Sequence, residues 1–397
     1  MSRLSPTTVN YTNLVMVLVF FDVAGAFESL QRFFVFGDRI SDDAAMAIFH
    51  KCEINPACYG DFALLLAEQT AFDASGVPPV LNKLIQSSHA TSWMSCDGLD
   101  TFVLATQGSK PGDPLGDIIF TFLIVKVLRK IKANALRDGI DCNVQLGPSN
   151  SVFGNFEQSS EKLDSINYVD DCAFPICGPN HDQVLDSLCS FTGMAVDVFA
   201  SFLMTCVFSA GKTAILVRNR TRKKLARALI DKDGRHVIVK MKAHPSARVP
   251  IVDSYQHVGL VVQSRPGFKM DVAKHCQMCD ATCGRLRPHV LSSPKVPWKL
   301  KSLFAEGCAF SRLFANANVW HNLSPDTLRK IEKPYNKVLR LVHGEAYSEV
   351  RNPIPISDVE FYKKYAIPNV KACIRVRRLR LLSRTILIAP PLLKHLL

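Results

Sequence analysis

The sequence predicts an α+β protein. Its first part, residues 1–268, mixes strands with helices, and its second, 269–397, is helical and basic. Three observations carry this expectation. The run "LVMVLVFF", 14–21, is continuously apolar and rich in β-branched residues, as a central strand buried on both faces is. Shorter strand-like segments recur at 165–176, 213–217 and 254–263, with helical stretches between them. From about 270 the strand signals give way to basic helices.

The first strand stops at Asp22, so a carboxylate emerges at its end. In "SDDAAMAIFH", 41–50, Ser41 reads as a helix N-cap, and Asp42 and Asp43 sit in the first turn, where the helix dipole favours acids. "GDFALLLAEQTAF", 60–72, reads as a second helix. Glycine and proline punctuate "QGSKPGDPLGD", 107–117, which must be a loop. Asp113-Pro114 then starts a helix that runs to Gly139. Its apolar positions Ile118, Ile119, Phe122, Val125 and Ile131 fit one face only loosely, which predicts burial on more than one side. After a polar, irregular stretch, "SINYVDDCAFPI", 165–176, reads as a β-hairpin with Asp170-Asp171 at its tip. Residues 181–208 read as helical. Their apolar part and its continuation, Phe191–Ala210, carry one charge, Asp197, and lack basic flanks, so a buried helix is expected rather than a membrane span. Residues 213–217 read as a strand, "DKDGRH" (231–236) as a turn, and "SYQHVGLVVQ" (254–263) as one more strand. In the second part, "SPDTLRKIEKPYNKVLRLVHG", 324–344, has a capping Ser324 and alternates basic with apolar positions. Segment 371–384 holds Lys371, Arg375, Arg377, Arg378, Arg380 and Arg384 with no acid.

Composition narrows the function classes. With 48% apolar and 21% charged residues the chain is globular, not disordered. Its net charge of +13 suits a polyanion such as nucleic acid, or an acidic lipid surface. Thirteen cysteines without a regular framework, and a polar "MSRLSPTTVNYTN" opening, point to an intracellular, nuclear or cytoplasmic protein rather than a secreted one. His275, Cys276, Cys279 and Cys283 contain one C-x₂-C and no second, a weak zinc pattern. At i, i+3 and i+7 the cysteines line one helix face, which burial explains better.

The acids carry more. With 25 Asp in 397 residues, one or two Asp-Asp pairs are expected by chance, and there are two. The pair at 42–43 is accounted for by its helix N-terminus. The pair at 170–171 is not. If the strand ending at Asp22 neighbours the 165–176 hairpin, three carboxylates converge. Two of them about 4 Å apart repel by about 1 kcal/mol in water and about 4 kcal/mol at an effective dielectric near 20. Hard oxygen ligands of this kind suit Mg²⁺ bound together with phosphate oxygens.

Five segments, in order over about 240 residues, resemble the reverse transcriptases. "VLVFFDVAGAFESL", 17–30, resembles their first palm motif, and "INYVDDCAF" their Tyr-x-Asp-Asp hairpin. "KPGDPLGDIIF", 110–120, resembles the Gln-Gly-x-Pro-Leu-Ser-Pro segment of the non-LTR, LINE-like retrotransposon enzymes. "FSAGKTAILV", 208–217, resembles the lysine-containing palm motif, and "YQHVGL", 255–260, the primer-grip segment. The resemblance implies a polymerase palm, an antiparallel sheet with packed helices, followed by a helical thumb and C-terminal region. The activity implied is RNA-directed DNA polymerisation, a nucleotidyl transfer using two Mg²⁺ ions, with Mn²⁺ as a substitute. The partners implied are an RNA template, a DNA primer and dNTPs, without a membrane.

Roles follow by position. Asp22 and Asp170 would be metal ligands, with Asp171 a ligand or close support. Phe27 would be the steric gate against a ribose 2′-hydroxyl. Lys110 and Gly112 would position template or incoming nucleotide, and Tyr168 would pack near the primer end. Lys212 would give a proton to the pyrophosphate leaving group. His257-Val258-Gly259 would hold the primer terminus. The departures are Pro111 for glutamine, Gly116-Asp117 for Ser-Pro, and Leu203 and Val207 for the glycine and asparagine upstream of Lys212. Asp22 also stands too near the start for the family's fingers, which implies a palm and thumb cut from a longer polyprotein with fingers and endonuclease. The alternative is a catalytically inactive remnant that only binds nucleic acid.

Overall fold

The computed structural model describes residues 15–37, 40–90, 93–95, 98, 101–105, 107–109, 114–140, 143–146, 149–151, 154–157, 159–162, 165–178, 180–217, 231, 234–265, 267–346 and 356–388. The protein is a mixed α+β chain of two compact units, one of Thr8–Gly147 with Gln158–Val258, the other holding Gly259–Leu397. The chain passes from the first to the second at Val258-Gly259, inside the segment expected to be one strand.

The first unit is organised by a six-stranded sheet. Strand β1 (Val15–Phe21) lies inside it, which explains its uninterrupted apolar run. On one side it pairs with β3 (Asp171–Gly178), whose own other neighbour is β2 (Ile166–Tyr168). On the other side it pairs with β4 (Ala214–Val217). Beyond β4 come β6 (Arg248–Val252) and β5 (His236–Ile238), giving the order β5-β6-β4-β1-β3-β2. An antiparallel sheet was the expectation. Every pair is antiparallel except β4 with β6, which run parallel, Ile215 opposite Ile251. Turn patterns specify hairpins, but the direction of a strand reached by a long connection is set by what it covers.

One face of the sheet is closed by helices. Helix α4 (His181–Ser201) packs on β1 and β3, and Phe21 meets Phe174 at 5.6 Å, Phe199 at 5.6 Å and Phe191 at 6.3 Å between ring centroids. Twelve residues of α4 are buried, so it is a core helix of this unit. Its Asp197 accepts a hydrogen bond from the Ala243 N–H at 2.9 Å, which accounts for the one acid in the helix's apolar C-terminal half. One turn earlier, Gly193 lets the Lys240 carbonyl lie against the helix. Helix α3 (Pro114–Arg137) lies beside α4. Its buried stripe is Ile119, Phe120, Leu123, Ile124, Val127 and Ile131, an i, i+3, i+4 pattern. The looser set read from sequence is corrected by this, since Ile118 is 50% exposed and Phe122 and Val125 are half-buried. Helices α1 (Asp42–Lys51) and α2 (Tyr59–Ala67) add Phe49 and Phe62 to the same core. Ser41 caps α1 by accepting from Ala44 N–H at 3.2 Å.

The second unit is helical. Helices α5 (Lys269–Leu286), α6 (Pro325–Val342) and α7 (Val370–Ile388) share a core with Trp320, Leu313 and Phe361. Ser324 caps α6, whose Ile331, Tyr335, Val338 and Val342 face inward while Arg329, Lys330, Lys333 and Lys337 stay exposed. Cys279 and Cys283 are buried in this core, and the Cys276 thiol donates to the Lys330 carbonyl at 3.5 Å. Their burial explains the i, i+3, i+7 spacing.

Candidate active site

Strand β1 delivers Asp22, and the register sets what stands beside it. Phe21 pairs with Cys172, so one step further along places Asp22 opposite Asp171. Opposite residues of an antiparallel pair have Cβ atoms about 4.5–5.5 Å apart and point to the same face. Asp22 and Phe20 therefore share a face with Asp171 and Ala173, the face away from α4.

The backbone around Asp22 is clamped. Its N–H donates to Thr213 Oγ1 at 3.2 Å, and its carbonyl accepts from the Val207 N–H at 3.1 Å. Ala24 N–H donates to the Thr205 carbonyl at 2.9 Å. Lys212, half-exposed, puts its Nζ 3.1 Å from Asp22 Oδ1 and 3.0 Å from Oδ2. Oδ2 is shielded from solvent and has no hydrogen bond besides that ion-pair contact. The lysine is thus held against the first carboxylate by a segment whose backbone is tied to Asp22 itself.

The hairpin tip supplies the other acids. Tyr168 pairs with Asp171, leaving Val169 and Asp170 as the two-residue turn. Val169 has φ +56°, a left-handed conformation that glycine adopts freely and a β-branched side chain resists. Such a residue costs about 1–3 kcal/mol and persists only where its surroundings hold it. Here the β1–β3 ladder and Val169's packing against the core do so. Burial raises the Asp170 carboxyl above its usual range, Asp171 and Asp22 push it the same way, and Lys212 opposes them. The three carboxylates are therefore electrostatic neighbours.

Strand β7 (Ser254–His257) covers the same face. Tyr255 stacks on Phe20 with centroids 3.9 Å apart and planes 8° apart, and His257 lies 5.5 Å from Phe20. Burial, then the charges of Asp22, Asp171 and Asp170, drive the Tyr255 hydroxyl upward. Burial pushes the His257 imidazole down, and its Nε2 is buried without a hydrogen-bond partner. Both groups are held neutral beside the acids.

Phe27 lies on the short helix Ala26–Ser29 and packs on Phe120 at 4.8 Å. A loop is docked on this helix. Gly108 N–H donates to the Leu30 carbonyl at 2.7 Å and Ser109 N–H to the Phe27 carbonyl at 2.9 Å. Gly108 has φ +82°, and a Cβ there would lie 3.1 Å from the carbonyl oxygens of Phe27 and Glu28. Arg32, 9% exposed, holds the loop by donating to the carbonyls of Gly108 (2.9 Å), Gln107 (3.3 Å) and His89 (2.6 Å).

The first unit thus brings together Asp22, Asp170, Asp171, Lys212 and His257, with Tyr168 at the hairpin, 63% exposed, and Phe27 on the short helix that follows Asp22. Lys110 and Gly112 lie outside the described residues. Gly259 belongs to the second unit. Thr213, Tyr255, Gly108 and Arg32 are site residues that sequence reasoning missed. The first three sit within one or two positions of motif residues, and a Gln-Gly step does occur at 107–108. Arg32 carries no sequence signal. Among the described residues no three His, Cys, Asp or Glu side chains stand close enough to hold a metal ion as they are. The donor chemistry nonetheless fits a hard divalent cation: carboxylate oxygens, one of them shielded and met only by the Lys212 ammonium. Compared with family models and with curated proteins, the chain matches none.

Proposed function

We propose that this chain is the palm and thumb region of a non-LTR retrotransposon reverse transcriptase, a polymerase that extends a DNA primer on an RNA template. The observation that carries the reading is the convergence of Asp22 with Asp170 and Asp171. Two motifs about 150 residues apart in the chain come side by side on one sheet face, with the lysine of a third motif on the first carboxylate. A surface cluster of acids in unrelated turns has no reason to share a strand register.

In this reading Asp22, Asp170 and Asp171 would hold Mg²⁺ or Mn²⁺, which when bound activates a primer 3′-hydroxyl and stabilises the departing pyrophosphate. The protein's own groups do the rest. The Asp22 backbone clamp fixes the carboxylate's direction. Phe27, backed by Phe120 and the docked 107–109 loop, is stiff enough to exclude a 2′-hydroxyl. Lys212 is a cation within reach of the acids and is the candidate proton donor to the leaving group. Neutral Tyr255 and His257 line the cluster without competing for its charge. The exposed basic faces of α6 and α7 suit phosphate contacts.

The test is primer extension on poly(A)–oligo(dT) with Mg²⁺ and labelled dTTP, comparing the full chain with Asp170→Ala. Incorporation by the first and not the second is the expected result. Incorporation retained by Asp170→Ala overturns the reading. No incorporation, with salt-sensitive template binding intact, makes the chain an inactive nucleic-acid binder.

A further inference from the structure

The second unit opens with a turn that is held by more than its own hydrogen bonds. Gly259 has φ +80° and follows Val258 at φ +47°, so both residues of this turn lie in left-handed space. The Gly259 carbonyl accepts from Lys274 Nζ at 3.1 Å and from Asn316 Nδ2 at 3.3 Å. Two residues on, the Val261 N–H donates to Asp271 Oδ1 at 3.0 Å.

Asp271 is fully buried. A carboxylate in that position is costly unless hydrogen bonds replace its water. Trp320 Nε1–H donates to Oδ2 at 2.7 Å, and Asn316 Nδ2 stands 3.2 and 3.3 Å from the two oxygens. Asn316 Nδ2 is also 3.0 Å from His275 Nε2. The opposite ring atom, His275 Nδ1, is 2.7 Å from the Arg312 carbonyl, which can only accept. Nδ1 therefore carries the proton, and in the neutral ring Nε2 accepts from Asn316. One amide group thus divides its two hydrogens among His275, Asp271 and the Gly259 carbonyl. Its orientation is set from three directions.

The bonds to the Gly259 carbonyl and the Val261 N–H join this buried network to the backbone of the turn. They reach out of it to fix a strained turn. We propose that Asp271, His275, Asn316 and Trp320 are positioning residues that set the Gly259–Val261 backbone. Resting on the reading above, in which His257-Val258-Gly259 holds the primer terminus, the network determines affinity for the primer end, through Gly259, rather than the chemical step.

The experiment uses the full chain with Asn316→Ala, and with Lys274→Met as a second variant at a half-buried position. Each removes one donor to the Gly259 carbonyl. Amide exchange across 259–262 should speed by about tenfold in either, the worth of one net hydrogen bond. Primer–template KM should rise by a similar factor, about tenfold, while the KM for dTTP and kcat stay near wild type. Unchanged exchange in both folded variants overturns the network's hold on the turn. Faster exchange with unchanged primer KM overturns its link to the primer. A wild-type chain that extends no primer instead overturns the polymerase reading, and exchange alone then decides whether the network sets the turn.

Discussion

Gly193→Ala is a perturbation for which helix propensity and packing predict opposite signs. Gly193 lies inside α4 with ordinary helical backbone. On propensity alone, alanine in a helix interior is about 1 kcal/mol better than glycine. At this position a Cβ would stand 2.3 Å from the Lys240 carbonyl oxygen and 3.4 Å from both its carbon and Val239 Cγ1. An ordinary contact needs about 1 Å more, and the obstruction is backbone that cannot rotate away. Helix and loop must therefore separate. Overpacking of this kind costs typically 1–3 kcal/mol, occasionally more. Separation also stretches the Ala243–Asp197 hydrogen bond one turn along the same face, worth about 1–3 kcal/mol because its acceptor is charged. Setting these against the propensity gain leaves a net loss of about 1–5 kcal/mol, or on the order of 2–20 °C in Tm for a unit of this size. The assay is denaturant unfolding followed by a probe of the first unit, with the m-value checked for constancy. A variant as stable as wild type, or more stable, would refute the close approach of the Lys240 carbonyl.

Other expectations follow from the same unit. Gly108→Ala meets backbone oxygens at 3.1 Å and keeps φ +82°, whereas Gly76→Ala keeps φ +71° with open space around it. The left-handed backbone alone costs about 1–2 kcal/mol, so Gly108→Ala should lose about 2–4 kcal/mol and Gly76→Ala about 1–2; equal losses in thermal unfolding would show that the 107–109 loop is not pressed against the Phe27 helix. Burial raises the Asp197 carboxyl, partly offset by the backbone amides of Ala243 and Lys242. A raised folded-state value means protonation favours folding, so Asp197's contribution is greatest below about pH 4 and falls as pH rises through its native value. Asp197→Asn should flatten the stability profile above that pH; a steeper profile in urea midpoints across pH 4–7 would contradict the assignment.

How much of this was readable in the chain depends on whether a signal was local. The β1 run, the hairpin, the Ser41 and Ser324 caps and the loop at 107–109 are local patterns, and each stands in the structure where such patterns place it; of the two acids expected at the hairpin tip, Asp170 is in the turn and Asp171 instead opens strand β3. The α3 stripe was misread because nearly every position there is apolar, and only the neighbours decide which ones are covered. The break at Val258-Gly259 was missed because valine argues against a left-handed turn, as it does at Val169. Leu203 at φ +61° is a third case: large and buried, it holds a conformation that glycine would take freely. At Val169 and Leu203 tertiary packing overrides local preference, while the exposed Val258 sits in a turn held by hydrogen bonds to the Gly259 carbonyl. Arg32, Asp271 and Trp320 were invisible for a different reason. Arg32's partners are 57–76 residues away and the side chains that meet Asp271 on Asn316 and Trp320 are 45 and 49 away, and nothing near them in sequence marks the contact.

The charge balance at the cluster decides what Lys212 does there. Three carboxylates and one lysine leave an excess of negative charge on a half-buried sheet face, and Lys212 would compete for Asp22 with any divalent cation bound there. In the polymerase reading proposed above the lysine would then have two roles with opposite consequences. As a competitor for Asp22 it would weaken divalent binding by about 0.2–1 kcal/mol, the range of a surface ion pair. As the proton donor to a leaving pyrophosphate it would speed the chemical step by about 10²–10⁴-fold. Lys212→Met should therefore bind Mn²⁺ about 1.5–5 times more tightly, measured as free Mn²⁺ by paramagnetic resonance. In the same variant kcat for dTTP incorporation should fall by at least about 100-fold. Weaker Mn²⁺ binding would mean that Lys212 organises Asp22 rather than competing for it. An unchanged kcat would leave the lysine with the ion pair alone, and the proton would have to come from solvent.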